Sequence, residues 1–367
     1  MKVKRRNLWL ISLLLLIGMT VLASCSEDTG GSESSAEEGE ADTVEDSGNA
    51  EGSGESRELA FSHLFPNNHV METDVVQVFA DEVQEATNGE VQVESYPGAQ
   101  LAAPDGQYEA AATGVADMGF SVHSYNPGQF PLTSVMELPF MEETGTEGSQ
   151  VLWDLYEEFP ELQDEYSDVV PLWLSTSEAG QIFTVGEQVK SVEDLEGMRI
   201  RSPSPEVNAW LEEMGATPVS MSMNEVYEAL ERGVVDGTVG PIHTLLDYSL
   251  QEVIDYVTVG DFYMTTFFGV MNQESYDSLS EEQRQAVDEI RGEHMSQVAG
   301  EAIDARSEEA VQAAEEAGAE FYELSEEELQ EWKEKMQPTI DAWIQDKEDS
   351  GLPGQDVYDK AVELSSK

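Results

Sequence analysis

Two arginines stand two residues apart in Gly197-Met-Arg-Ile-Arg-Ser-Pro203, in a chain whose formal charge is -59. Cations are scarce around them: between Arg57 and Arg284 the only basic residues are Lys190, Arg199, Arg201 and Arg232. The run is short and strand-like, and in an extended segment residues i and i+2 share a face. Arg199 and Arg201 are therefore expected to point the same way. A guanidinium at a strand end holds a carboxylate through two parallel hydrogen bonds. Carboxylates are abundant here, with 76 Asp and Glu, so pairing with surface acids is the competing use of both arginines. Residue type alone leaves both uses open.

Other chemistry finds little support. The sequence has no Gly-x-Ser-x-Gly elbow, His-Glu-x-x-His pair, Gly-x-Gly-x-x-Gly turn or phosphate loop, so it reads as a non-enzyme. Cys25 is the sole cysteine, which excludes disulfides. His63, His69 and His123 match no standard zinc spacing, and no metal or other cofactor is expected.

The N-terminus carries an address. Lys2, Lys4, Arg5 and Arg6 precede an apolar stretch, 8–21, and Leu22-Ala-Ser-Cys25 follows. Small residues before a cysteine resemble the lipobox of bacterial lipoproteins, so residues 1–24 read as a signal peptide and Cys25 as the acylation site. Residues 25–58 are mostly Ser, Gly, Glu, Asp, Thr and Ala, too polar to bury a core, and are expected to form an acidic tether. The acidic excess argues against nucleic-acid partners, which need basic patches. It also leaves membrane association to the lipid anchor. A salty habitat, where ions screen repulsion, is the expected origin of the charge.

The elements that position the arginines alternate in type. Strands are expected at 58–63, 90–96, 118–122, 169–175, 181–185, across Arg199 and Arg201, and at 217–220 and 234–239, with helices at 69–87, 107–113, 146–159, 205–214 and 224–232, and mostly helix from 280 onward. Strands alternating with helices predict an α/β class with parallel sheets. Two sheets in one chain make an interlobe cleft the natural ligand site.

The stretch 197–241 adds a pattern: the double-arginine run, Trp210, Gly215-Ala-Thr-Pro-Val219, Glu225-Val-Tyr-Glu-Ala-Leu230 and Gly233-Val-Val-Asp-Gly237. Upstream stand Tyr96-Pro-Gly-Ala-Gln-Leu101, Gly114-Val-Ala-Asp-Met118, Phe130-Pro-Leu132 and Glu137-Leu-Pro-Phe140. Downstream stand Asn272-Gln-Glu-Ser-Tyr276 and Leu279-Ser-Glu-Glu-Gln283. In order and spacing these resemble the substrate-binding proteins of tripartite ATP-independent periplasmic (TRAP) transporters, over about 59–338.

That resemblance implies a two-lobed periplasmic-binding-protein-like α/β fold with crossing strands and a long lobe-spanning helix. Lobe I would comprise 59–177 and 267–305, lobe II 178–266 and 306–367. It further implies capture of an organic acid outside the cytoplasm and delivery to a sodium-driven TRAP permease; a sensor kinase or an ABC permease is the alternative client. By the same resemblance Arg201 takes the ligand carboxylate and Arg199 is structural. Gln181 stands where relatives often carry a second arginine, and Gly240 where an asparagine is common. With one positive partner, a monocarboxylate is expected, and room at Gly240 would admit a bulky or aromatic tail. Met223 is expected as an apolar wall, with His63, His123, Tyr125, Phe262 and Tyr263 near the cleft.

Overall fold

The computed structural model describes residues 56–366. The signal segment, Cys25 and almost all of the expected tether lie outside the described residues. Eleven strands are present among them: β1 (Arg57–His63), β2 (Val91–Tyr96), β3 (Met118–Val122), β4 (Val169–Thr176), β5 (Gly180–Thr184), β6 (Arg199–Ser202), β7 (Thr217–Ser220), β8 (Gly237–Pro241), β9 (Tyr256–Tyr263), β10 (Thr266–Asn272) and β11 (Glu320–Glu323). They form two sheets, in the orders β2-β1-β3-β10-β4 and β11-β9-β5-β8-β6-β7.

The sheets are mixed, which corrects the all-parallel expectation. Strands joined by helical crossovers, such as β1 with β2 and β6 with β7, do pair in parallel. β10 runs antiparallel to β3 and β4, and β5 runs antiparallel to β8 and β9. These exceptions are strands that change sheets. The chain leaves β4 through 177–179 to enter β5, and leaves β9 through 264–265 to enter β10. No helix lies in either connection to impose a parallel return. The residue pattern conceals β10 because all seven of its residues are buried, so no alternation marks it.

The two crossings are fastened to each other. The Ser177 N–H donates to the Thr265 carbonyl at 2.8 Å, and the Thr265 N–H donates to Ser177 Oγ at 3.0 Å. Gln181 secures the same region. Its Oε1 accepts from the N–H groups of Gly260 (2.8 Å) and Asp261 (3.0 Å), and its Nε2 donates to the Ala179 carbonyl and to Asp261 Oδ1. Asp261 has a positive φ of 52° and interrupts the β5–β9 register, so Gln181 satisfies backbone donors that the ladder leaves unpaired.

A 25-residue helix, Glu293–Ala317, runs along both sheets. Its first half packs Met295, Ala299 and Ile303 into the core that holds Phe61, Phe79, Phe120 and Trp173. Its second half packs Ala310 and Ala314 against Phe183, Leu245 and Val257 beside the second sheet. Close approach to the helix Gly145–Glu158 requires glycine: a Cβ on Gly300 would lie 2.5 Å from the Gly145 carbonyl oxygen. The C-terminal segment does not stay with one sheet, contrary to the expected assignment of 306–367. Trp332 and Met336 join the second-sheet core, whereas Ile340, Trp343, Val357 and Ala361 pack with Leu152, Trp153 and Leu174 beside the first. The spacings Trp332–Met336, Ile340–Trp343 and Val357–Ala361 put each pair on one helical face.

Replacing Gln181 with Leu strands two buried backbone donors, each costing about 1–3 kcal/mol when unsatisfied. Urea unfolding of Gln181→Leu is expected to show a lowered midpoint. Unchanged stability with lost solute binding would instead make Gln181 a ligand contact.

Candidate ligand site

Gly197, at φ 79°, turns the chain into β6, and Ile200 anchors the strand in the second-sheet core. The two arginines that flank Ile200 meet different surroundings. Arg199 begins the strand at its exposed rim and grips Asp236 by two side-chain bonds, with Nε at 3.1 Å from Oδ2, while Nη1 donates to the Val234 carbonyl at 2.6 Å. The hydrogen bonds from Arg199 hold the Asp236 carboxyl below its ordinary range. This clasp occupies the turn before β8, which is why that strand starts at Gly237 and not at the expected 234.

Arg201 is 1% exposed. Nε donates to the Met221 carbonyl at 2.9 Å, Nη1 to the Val239 carbonyl at 3.2 Å and Nη2 to the Tyr125 hydroxyl at 3.3 Å. All three acceptors are neutral. Among the described residues no carboxylate lies within ion-pair distance of it. Leaving a buried charge without a counter-charge costs several kcal/mol, so the guanidinium is left able to attract an anion.

The Tyr125 hydroxyl also accepts the Met223 N–H at 2.9 Å. Tyr125 follows β3 of the first sheet, whereas Arg201 and Met223 belong to the second, so one oxygen joins the two halves. Behind it lies a cavity of about 30 Å³ bounded by Phe65, Tyr125, Arg201, Met223, His243 and Tyr248, with Thr265 from the crossing and Phe267 from β10. A cavity of that size has room for only a few water molecules, so an aromatic acid enters only if the walls part. A roomier hollow of about 310 Å³ lies beyond Tyr125 and Pro203. It omits Arg201 and carries Asp105 and Glu225, which repel an anion.

The remaining charges near the cavity cancel in pairs. Glu178 accepts the His243 N–H through Oε1 and faces His243 Nδ1 through Oε2, both at 2.9 Å. Burial opposes charge on the imidazole, but Glu178 and Asp247 outweigh it and raise its pKa; His243 in turn overcomes burial to lower that of Glu178. Asp247 binds Arg306 at 2.7 Å. His69 is held well below its ordinary pKa by burial and by neighbouring positive charge, and its Nδ1 accepts the Met71 N–H at 3.1 Å. His69, His243 and Asp247 bring ligand atoms within 4.8 Å of one another. Arg306 already neutralises that carboxylate, so the trio is a charge network, not a free set of metal ligands.

Of the expected site residues, Arg201, Tyr125 and Met223 meet at this cavity. His63 does not: it bonds Glu72 and Ser95 inside the first-sheet half. His123 accepts or donates at the Tyr166 hydroxyl, 2.7 Å away, and burial lowers its pKa to about 3. Phe262 stacks between Trp210 and Trp332 in the second-sheet core, and Tyr263 lies in that core with its ring over Gly180. Gln181 is spent on the crossing. Gly240 offers little free space, because a Cβ there would sit 3.1 Å from the Met223 methyl and 3.3 Å from Thr244 Oγ1 and would press on both side chains. His69, His243, Tyr248 and Phe267 escaped the sequence reading. His243 had one available signal: it stands two residues past Pro241, beyond the carboxyl end of β8, where α/β sheets bind ligands.

Comparison with known proteins agrees with this architecture. Residues 61–346 match the family model described as bacterial extracellular solute-binding protein, family 7. A TRAP solute-binding protein of an unidentified marine microbe, specific for aromatic acid ligands and solved with metahydroxyphenylacetate, is 31% identical. It superposes with a TM-score of 0.81 over 84% of this chain and 98% of its own. A TRAP solute-binding protein of Rhodoferax ferrireducens with copurified benzoate is 28% identical, with a TM-score of 0.82 over 85% and 98% of the two chains. One of Bordetella bronchiseptica with bound (R)- and (S)-mandelate is 27% identical, with a TM-score of 0.79 over 84% and 99%. The chain belongs to the bacterial extracellular solute-binding protein family 7 and is a TRAP substrate-binding protein.

Proposed function

We propose that this protein captures a small aromatic monocarboxylic acid, with Arg201 as the carboxylate clamp, and delivers it outside the cytoplasm to a sodium-driven TRAP permease while anchored through an acylated Cys25. The observation that carries the reading is the buried Arg201 guanidinium with no anionic partner among the described residues. Its neutral acceptors aim the fork without cancelling its charge. Since Glu178–His243 and Asp247–Arg306 are internally neutral pairs, the cavity presents one net positive charge and suits a monoanion.

The wall supports an aromatic body. Phe65, Tyr125, Tyr248 and Phe267 offer ring faces, and Met223 is a thioether that adapts to varied shapes. The three solved relatives hold aromatic acids. Because the cavity has room for only a few water molecules, admission of an aromatic acid requires separation of the sheets at 177–179 and 264–265. A carboxylate on Arg201 would then favour the closed form in which Tyr125 bridges the halves.

Calorimetry with 3-hydroxybenzoate, benzoate and mandelate tests this. Arg201→Lys keeps the charge but loses the fork, and removal of one partner from a buried pair costs about 2–5 kcal/mol. Binding of Arg201→Lys within twofold of wild type would refute the clamp. Arg199→Gln removes only an exposed clasp and is expected to bind within about threefold of wild type, since exposed pairs contribute about 0–1 kcal/mol. An affinity loss equal to that of Arg201→Lys would show that Arg199 also holds ligand. Succinate is expected to bind more weakly than benzoate, because its second carboxylate finds no net charge; tighter succinate binding would overturn the monoanion assignment.

A further inference from the structure

Besides Arg201 the cavity wall carries polar groups from His69, Tyr125, His243, Thr244, Tyr248 and Thr265, and of these His243 alone is paired with a carboxylate in the crossing segment. His243 begins the short helix His243–Asp247 just past β8, and its ring lines the cavity. Glu178, in the crossing segment, fixes that ring through both the backbone N–H and Nδ1, at 2.9 Å each. Nδ1 is thereby committed, and Nε2 is the ring nitrogen without a protein hydrogen bond among the described residues. The histidine is 1% exposed and Glu178 is 7% exposed, so the orientation is protected from water.

We propose that His243 is a specificity-determining residue: its Nε2–H donates to a second oxygen on the ligand, a hydroxyl or carbonyl carried by the body of the acid whose carboxylate Arg201 holds. This rests on the aromatic-acid reading and narrows it to hydroxy- or keto-substituted acids over unsubstituted ones. The groups facing His243 agree with a donor role. Glu178 from the crossing and Asp247 from its own helix favour the protonated ring, and Arg306 from the long helix opposes it. His69, from the segment after β1, packs edge-on at 5.6 Å between ring centroids and stays neutral. The raised pKa means the charged donor is present at lower pH and is lost as pH rises through the folded value.

The test is the ratio of Kd for benzoate to Kd for 3-hydroxybenzoate and for mandelate, by calorimetry on the full chain. A hydrogen bond from a charged donor gives wild type a preference for at least one oxygenated acid of roughly tenfold or more. His243→Asn places an amide where Nδ1 now meets Glu178 and deletes Nε2, so the ratio is expected to fall to about one. If His243→Asn does not fold, Glu178→Gln, which keeps the ring but withdraws its charge partner, is expected to shrink the ratio as well. In wild type the ratio is expected to decline as pH rises. A ratio unchanged in the variant, or a wild-type ratio near one for both oxygenated acids, overturns the role of His243 alone. Failure of wild type to bind any of the three acids overturns the aromatic-acid reading and this inference with it.

Discussion

The site is organised around a guanidinium that is buried without a counter-charge. In a chain of formal charge -59, the long-range field opposes approach of any anion, and only nearby, poorly screened charge overcomes it. Arg201 meets that condition by position. It sits inside the carboxyl end of β6, where three neutral acceptors orient it and its neighbours' charges cancel in pairs. Arg199, two residues earlier, reaches the strand's exposed rim and is neutralised by Asp236. The two arginines differ in depth: Arg199 is exposed and Arg201 is buried.

The fold supplies that depth. Neither sheet encloses Arg201 by itself: the second sheet provides the arginine and Met223, and the first provides Tyr125 and Phe65. The crossings at 177–179 and 264–265 are the covalent joints, hydrogen-bonded to one another, and the helix Glu293–Ala317 lies along both halves. Thr265 lines the cavity from one crossing and Phe267 from the start of β10, while Glu178 in the other crossing orients His243. Movement of the joints and the electrostatics of the cavity therefore involve the same residues.

Much of this was legible in the residues. The amphipathic helix 205–213 follows its periodicity, and the spacing of motifs around Gly197 and Gly233 placed Arg201 in a recognisable frame. What escaped depends on contacts between distant segments. β10 has no alternation because helices and sheet cover both its faces. Gln181 looked like a substitute for a ligand arginine, yet its amide is consumed by the backbone irregularity at Asp261, eighty residues away. Gly240 looked like empty space, but Met223 and Thr244 crowd it. His243 carries no local motif; its orientation is set by Glu178, which arrives from the crossing between β4 and β5.

The most direct measurement is a crystal structure of the protein grown with 3-hydroxybenzoate. The expected result is the carboxylate within hydrogen-bonding distance of the Arg201 guanidinium, with the ring between Phe65, Tyr248 and Phe267. A carboxylate bound away from Arg201, for example in the hollow beside Asp105 and Glu225, would contradict the assignment of Arg201 as the clamp.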